Sequence, residues 1–160
     1  MIALNYYVDL HGGELPIAEL DHEEHAVLER IQARAAENPD WAEFTNYWTA
    51  EIAALYERRG VSRAESADSP LYRIAEDLDS RLAIAQGLAR APDYRDELQK
   101  LIRERFKSQR AFCEATGISE DMLSHVLARR KHLAIDTLEK ALARIGCTLR
   151  IVPTEPAAKK

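Results

Sequence analysis

The polar and charged side chains of residues 108–131, SQRAFCEATGISEDMLSHVLARRK, have the spacing of two short helices joined by a tight turn. Ser108 and Ser119 each stand where a hydroxyl can cap the start of a helix, and Gly117 tolerates the left-handed backbone that such a turn requires. The apolar residues of the stretch are spaced to pack the two helices together; they are Phe112, Ile118, Leu123, Val126 and Leu127. The pattern predicts a helix-turn-helix.

The second helix of this motif would keep one polar face exposed. In helix-turn-helix proteins the second helix lies in the major groove of DNA, and its first residues contact base edges. A carboxylate such as that of Glu120 can accept a hydrogen bond from the N4 amino group of cytosine. The same carboxylate also stabilises its own helix start, so a solvated capping role is the alternative. The residues predicted to face bases are Ser119, Glu120, Asp121, Ser124 and His125.

Attraction to the phosphate backbone would come from cations on either side of that face, because Glu120 and Asp121 themselves repel phosphate. A basic run, ARRKH, directly follows the second helix, and further cations lie on the preceding helix at Arg103, Arg105 and Lys107. Each phosphate that a cation neutralises adds to the salt dependence of binding. The residues predicted to contact phosphate are Ser108, Gln109, Arg110, Arg129, Arg130 and Lys131.

Residues 108–146 resemble the helix-turn-helix of the phage-repressor and Xre family, in the segments SQRAFC, TGIS, MLSHVL and LAIDTLEKALARIG. The resemblance implies that Ser108 and Gln109 contact phosphate and that residues 119–124 face bases. It also implies a transcriptional repressor that acts as a homodimer, since one such motif covers only one half-site of double-stranded DNA. The chain departs from the family at Arg129, where a glycine is common after the recognition helix.

The charge of the chain is divided unevenly between its halves. The net charge is −5, yet residues 96–160 hold 13 Lys and Arg against 9 Asp and Glu, whereas residues 1–95 hold 9 against 18. Such asymmetry indicates different partners for the two halves. One alternative is therefore an antitoxin that binds a basic toxin, or another protein, through the acidic half; a small toxin-like reading frame beside the gene would favour it. Another alternative is a helix-turn-helix that makes protein contacts only.

Apolar periodicity and capping residues predict a mainly α fold. Asp21 can cap a helix that ends near Ala36, a strongly amphipathic helix follows in WAEFTNYWTAEIAALYERRG, and Pro70 suits the first turn of another. SRAESADSP, between these last two, is predicted to be a loop. After the helix-turn-helix, Asp136 and Glu139 have the spacing of a capping box for the last helix.

Two segments alternate as strands, IALNYYVDL at residues 2–10 and TLRIV at residues 148–152. We expect these chain ends to pair, within one chain or across a dimer, because an isolated strand leaves its backbone unpaired. HGGE can also close a hairpin with LPIAEL. The expected domains are an acidic helical domain (1–92), a helix-turn-helix domain with the terminal strand (93–153) and a flexible tail (154–160).

No signature of an enzyme, metal site or cofactor stands out. His22 and His25 in HEEH are three positions apart, whereas the histidines of a zinc-binding H-E-x-x-H helix are four positions apart. Cys113 and Cys147 lie in apolar helical patterns and are expected to be small buried hydrophobes. No apolar run approaches the length of about 18 residues that a membrane span needs, so we expect a cytoplasmic protein without membrane contact.

Overall fold

A computed structural model describes residues 5–155, within which eight helices and one two-stranded antiparallel sheet form, confirming the predicted mainly α class. The elements are β1 (Tyr6–Val8), β2 (Glu14–Pro16), α1 (His22–Ala36), α2 (Trp41–Arg58), α3 (Arg63–Ala67), α4 (Pro70–Ala85), α5 (Tyr94–Arg105), α6 (Gln109–Thr116), α7 (Glu120–Leu127) and α8 (Ile135–Ala143). None of the helices in the described part has the length and apolar run needed to cross a membrane.

The chain divides into two compact units, and the division falls between Ala91 and Pro92. The first unit holds β1, β2 and α1 to α4, and the second unit, residues 92–151, holds α5 to α8. The chain returns to the first unit at Val152, so that unit also contains residues 152–155 of the described part.

In the first unit, helices α1, α2 and α4 pack around one apolar core. Ile31, Phe44 and Leu71 are completely buried there. The predicted cap of α1 is confirmed, because the Asp21 carboxylate accepts hydrogen bonds from the backbone of Glu23 and Glu24 at 2.9 and 3.0 Å. Such local hydrogen bonds satisfy amide groups that would otherwise lack a partner at the helix start.

The β element is a local hairpin, as the HGGE turn predicts, with Tyr7 opposite Leu15 and a left-handed Gly12 in the turn. Residues 148–152 form no strand, so the described residues do not show the expected pairing of the two ends within one chain. Closing a hairpin orders only a short loop, whereas the entropic cost of closure increases with loop length. Residues 2–4 of the predicted first strand lie outside the described residues.

The segment after residue 151 is held by a side chain instead of a sheet. The guanidinium of Arg81 donates from Nη2 to the carbonyl oxygens of Val8 and Thr154, at 2.9 and 2.8 Å. Val152 packs against Gly12 in the hairpin turn, where an added Cβ would meet it. Thr154, expected to begin a flexible tail, is therefore tied to β1, and residues 156–160 lie outside the described residues.

A second correction concerns SRAESADSP, where the expected loop contains the short helix α3. The backbone of Ser62 donates to the Glu65 carboxylate at 3.0 Å, and the backbone of Glu65 donates to the Ser62 hydroxyl at 3.3 Å. This reciprocal capping box satisfies two amides at once and stabilises a single helical turn.

In the second unit, α5 to α8 surround a core that includes Leu98, Phe112 and Leu123. Phe112 is completely buried, and the Phe106 ring meets it edge-on, with ring centroids 5.3 Å apart. The predicted helix pair is confirmed: α6 ends at the left-handed Gly117, with φ of 80°. Within two residues the chain enters α7.

The start of α8 differs from the expected capping box at Asp136. The helix begins at Ile135, two residues earlier than a cap at Asp136 would give, after Ala134, which has no capping side chain. The preceding residue explains the shift: Leu133 is buried, and its backbone N–H donates to the Tyr94 hydroxyl at 2.9 Å. This long-range contact fixes where the chain enters the helix.

Replacing Gly117 with alanine should lower the free energy of unfolding by about 1–2 kcal/mol, the cost of a Cβ in left-handed backbone. The added Cβ would also meet the guanidinium of Arg144, which donates to the Thr116 carbonyl oxygen at 3.3 Å. Gly146→Ala is the matched control, because Gly146 has φ of 73° and open space around its Cβ position. Urea unfolding should show Gly117→Ala to be at least as destabilising as the control; a larger loss for Gly146→Ala would contradict this account.

Candidate nucleic-acid interface

The start of α7 presents most of the predicted base-facing residues to solvent. The Ser119 hydroxyl caps the helix by accepting from the backbone N–H of Met122 at 3.1 Å. The side chains of Glu120 and Asp121 are 65% and 86% exposed, and Ser124, one turn further along, is also exposed. Four polar side chains are thereby gathered at one end of a short helix, where a base edge could reach them.

His125 lies at the margin of this face and is less accessible than the sequence predicts. Its side chain is 30% exposed, with Nε2 at 3.7 Å from Asp121 Oδ1. Its Nδ1 is buried and makes no hydrogen bond within the described residues. Only Nε2 of the ring could therefore form a hydrogen bond with a DNA base.

The side chain of Arg110 forms ion pairs within the protein. Its Nε lies 3.2 Å from Glu114 Oε1 and 3.7 Å from Glu120 Oε1, so the guanidinium bridges α6 to the acidic start of α7. All three side chains are exposed, and exposed ion pairs of this kind contribute only about 0–1 kcal/mol. A phosphate could therefore replace either carboxylate at little cost.

Arg129 is engaged within the protein, in an arrangement that its sequence position does not reveal. Its guanidinium donates to Asp93 Oδ2 at 2.8 Å and to Asp96 Oδ1 at 2.6 Å. Both carboxylates belong to the start of α5, where Asp93 is the N-cap and Asp96 completes a capping box. The Arg129 side chain is only 25% exposed. This geometry directs Arg129 toward α5 and does not support the predicted phosphate contact.

The backbone of Arg129 has the left-handed conformation that favours glycine. Its φ is +62°, and α7 ends in a Schellman motif: Arg129 N–H donates to Val126 O at 3.0 Å and Arg130 N–H to His125 O at 2.9 Å. An L side chain in this conformation costs about 1–2 kcal/mol. The two charge-assisted hydrogen bonds to α5 offset that cost.

The remaining predicted phosphate contacts are accessible. Arg130 and Lys131 are exposed and make no ion pair within residues 5–155. Ser108 caps α6 by accepting from the Ala111 backbone N–H at 3.1 Å, and Gln109 is exposed at the first position of that helix.

Arg103, on α5, and Lys107, which lies just after the end of that helix and not on it as the sequence predicts, extend this accessible surface. A groove of about 420 Å³ is lined by Arg103 and Lys107 together with Ser108 and Gln109. Arg105, in contrast, donates to the sulfur of Cys147 at 3.0 Å. Of the three cations at residues 103–107, two therefore line the groove.

No protein-family model, curated protein or solved structure matches this chain. The resemblance to the phage-repressor and Xre family therefore rests on the quoted residues alone.

The carboxylate of Asp93 should make stability depend on pH. A hydrogen bond from the Arg95 side chain, helped by Arg129, holds the pKa of Asp93 well below its usual range. A lowered pKa in the folded state gives stability that is complete above the unfolded value of about 3.9 and is lost as the pH falls below it. Asp93→Asn should therefore lower the free energy of unfolding at pH 7.

Urea unfolding at a series of pH values checks this. The difference between wild type and Asp93→Asn should shrink as the pH falls from about 4 to about 2. Glu139→Gln, at an exposed position of α8, is the matched control and should stay close to wild type throughout. A deficit of Asp93→Asn that is the same at every pH would rule out the carboxylate charge as its cause.

Proposed function

We propose that the protein is a sequence-specific DNA-binding transcriptional regulator, a repressor that binds double-stranded DNA as a homodimer. The observation that supports this best is the exposed polar start of α7, with accessible cations beside it at Arg130 and Lys131. A helix fits the major groove, which is about 12 Å wide. In this position the side chains of α7 would contact bases while the flanking cations contact phosphates.

The acidic first turn of α7 would lower the affinity for DNA in general and increase the difference in affinity between sequences. Glu120 and Asp121 weaken attraction to every phosphate, so binding to an arbitrary sequence gains little. A cytosine amino group placed opposite a carboxylate would recover the lost energy at selected sequences, because it donates a hydrogen bond to it. The base-facing group would be Ser119, Glu120, Asp121 and Ser124, with the Nε2 edge of His125 at its margin.

The proposed homodimer is supported by an argument about the length of the DNA site. Each chain contains one helix-turn-helix within its described residues, and one such unit reads only one half-site. Two copies related by a two-fold axis would read half-sites about one turn of DNA, roughly 34 Å, apart. No cofactor is required for this mode of binding.

An antitoxin remains the second candidate, favoured by the charge of residues 1–95, in which 18 acidic residues face 9 basic ones. Such an acidic half complements a small basic protein, and binding to it would weaken as salt increases. The two functions are compatible, since a repressor can also hold a protein partner. A basic protein encoded beside the gene that binds residues 1–95 would support this candidate.

Replacing Arg130 and Lys131 together with alanine should weaken binding to all duplexes. It should also reduce the slope of log affinity against log salt by roughly one to two units, since each phosphate contact contributes about 0.9. The measurement is a salt titration of duplex affinity. The matched control replaces Arg58 and Arg63, two exposed arginines of the first unit, with alanine. An unchanged slope for Arg130→Ala with Lys131→Ala would show that this loop does not contact the phosphates.

Replacing Glu120 with glutamine should change sequence preference more than overall affinity, because one acceptor oxygen becomes an amide donor and the charge is lost, while the side-chain shape is kept. Glu114→Gln is the matched control, since Glu114 shares Arg110 as a partner but lies on α6. The control should raise affinity for all duplexes alike by freeing Arg110. Selection of bound duplexes from a random library reports both effects. A uniform gain for Glu120→Gln would mean that its carboxylate only repels DNA.

A further inference from the structure

The basic loop between α7 and α8 is fastened at both ends to the first turn of α5. At its beginning, the Arg129 guanidinium binds the carboxylates of Asp93 and Asp96 at 2.8 and 2.6 Å. At its end, the backbone N–H of Leu133 donates to the Tyr94 hydroxyl at 2.9 Å. Three side chains within one helical turn thus hold a loop that lies more than thirty residues further along the chain.

Each fastening is made by groups that are partly or fully withdrawn from solvent. The side chains of Arg129, Asp93 and Asp96 are 25–32% exposed, so their hydrogen bonds are screened less than those of fully exposed pairs. Leu133 is buried in the core of the second unit. The Tyr94 ring also lies beside the His132 ring, with centroids 5.9 Å apart.

Between the two fastenings, the backbone is fixed while the cationic side chains are left exposed. The backbone N–H groups of Arg130 and Lys131 both donate to the His125 carbonyl oxygen, at 2.9 and 3.3 Å. Because His125 belongs to α7, these two hydrogen bonds fix the position of the loop relative to the helix that presents the base-facing residues. A site whose groups are already ordered loses less entropy when its ligand binds.

We propose that Asp93, Tyr94, Asp96 and Arg129 are positioning residues of the DNA site, which hold Arg130 and Lys131 at a fixed place relative to α7 without touching DNA. The inference rests on the proposed function and extends it. It assigns Arg129 a role that differs from the phosphate contact predicted from its position in a basic run. The carboxylates of the first turn of α5 would repel DNA themselves. In this proposal they nevertheless favour its binding, because they hold the cationic loop in place.

Two variants test the two fastenings separately. Arg129→Gly removes the guanidinium but suits the left-handed backbone, so the Schellman turn and the fold should persist. Tyr94→Phe removes only the hydroxyl that accepts from Leu133. Each variant should increase amide hydrogen exchange at residues 130–133. Each should also weaken duplex affinity about 3- to 10-fold, because the loop must then lose conformational entropy when the duplex binds.

The salt dependence separates positioning from direct contact. The slope of log affinity against log salt should stay at the wild-type value for Arg129→Gly and Tyr94→Phe, whereas Arg130→Ala should lower it by about 0.9. Arg150→Ala removes one exposed positive charge elsewhere in the second unit and is the matched control. It should leave amide exchange in the loop unchanged.

Three results would overturn the inference or its basis. A slope reduced by about 0.9 in Arg129→Gly would make Arg129 a phosphate ligand. Unchanged loop exchange together with unchanged affinity in both variants would show that the fastenings position nothing. A wild-type protein that binds no duplex would overturn the proposed function itself, and amide exchange alone would then decide whether the first turn of α5 holds the loop.

Discussion

The hydrogen bonds from the Arg129 guanidinium to Asp93 and Asp96 are the contact on which the position of the basic loop after α7 depends. They connect the first turn of α5 to the end of α7, and they occur at a left-handed residue where glycine would be the unstrained choice. The strain is tolerated because guanidinium and carboxylate form strong, directional hydrogen bonds when both ions are partly shielded from water. One side chain thereby joins the start of the basic loop to α5.

Negative charges lie at the start of α7, and positive charges lie after its end. Carboxylates occupy its first turn, where the helix dipole favours them, and exposed cations occupy the loop that follows its last turn. Arg110 links the acidic tip to α6 through Glu120 and Glu114, so part of the negative potential is compensated inside the motif. A surface of this kind would bind a polyanion weakly at arbitrary sequences and more strongly where the carboxylates find a donor.

The acidity of the first unit is also partly used for structure. Arg59 binds Asp21 and Glu23 at 2.7 and 2.6 Å, and its hydrogen bond lowers the pKa of Asp21 to about 2. The Asp79 carboxylate accepts from three neutral donors instead: the indole N–H groups of Trp41 and Trp48 and the hydroxyl of Thr45, which together join α2 to α4. These three acidic side chains are therefore engaged in contacts within the first unit.

The sequence by itself determined seven of the eight helices in the described part, because caps such as Asp21 and Ser119 act on amides two or three residues away and apolar spacing reports which face is buried. It also determined the hairpin turn, the turn at Gly117 and the exposed face of α7. Only the tertiary structure decided that Arg81, and not a strand, holds the segment after residue 151, that Leu133 shifts the start of α8, and that Arg129 turns away from solvent. Those outcomes depend on partners far apart in the chain: Asp93 and Arg129 are 36 residues apart. Residue spacing records contacts within a few residues, whereas distant contacts exist only after the core has packed.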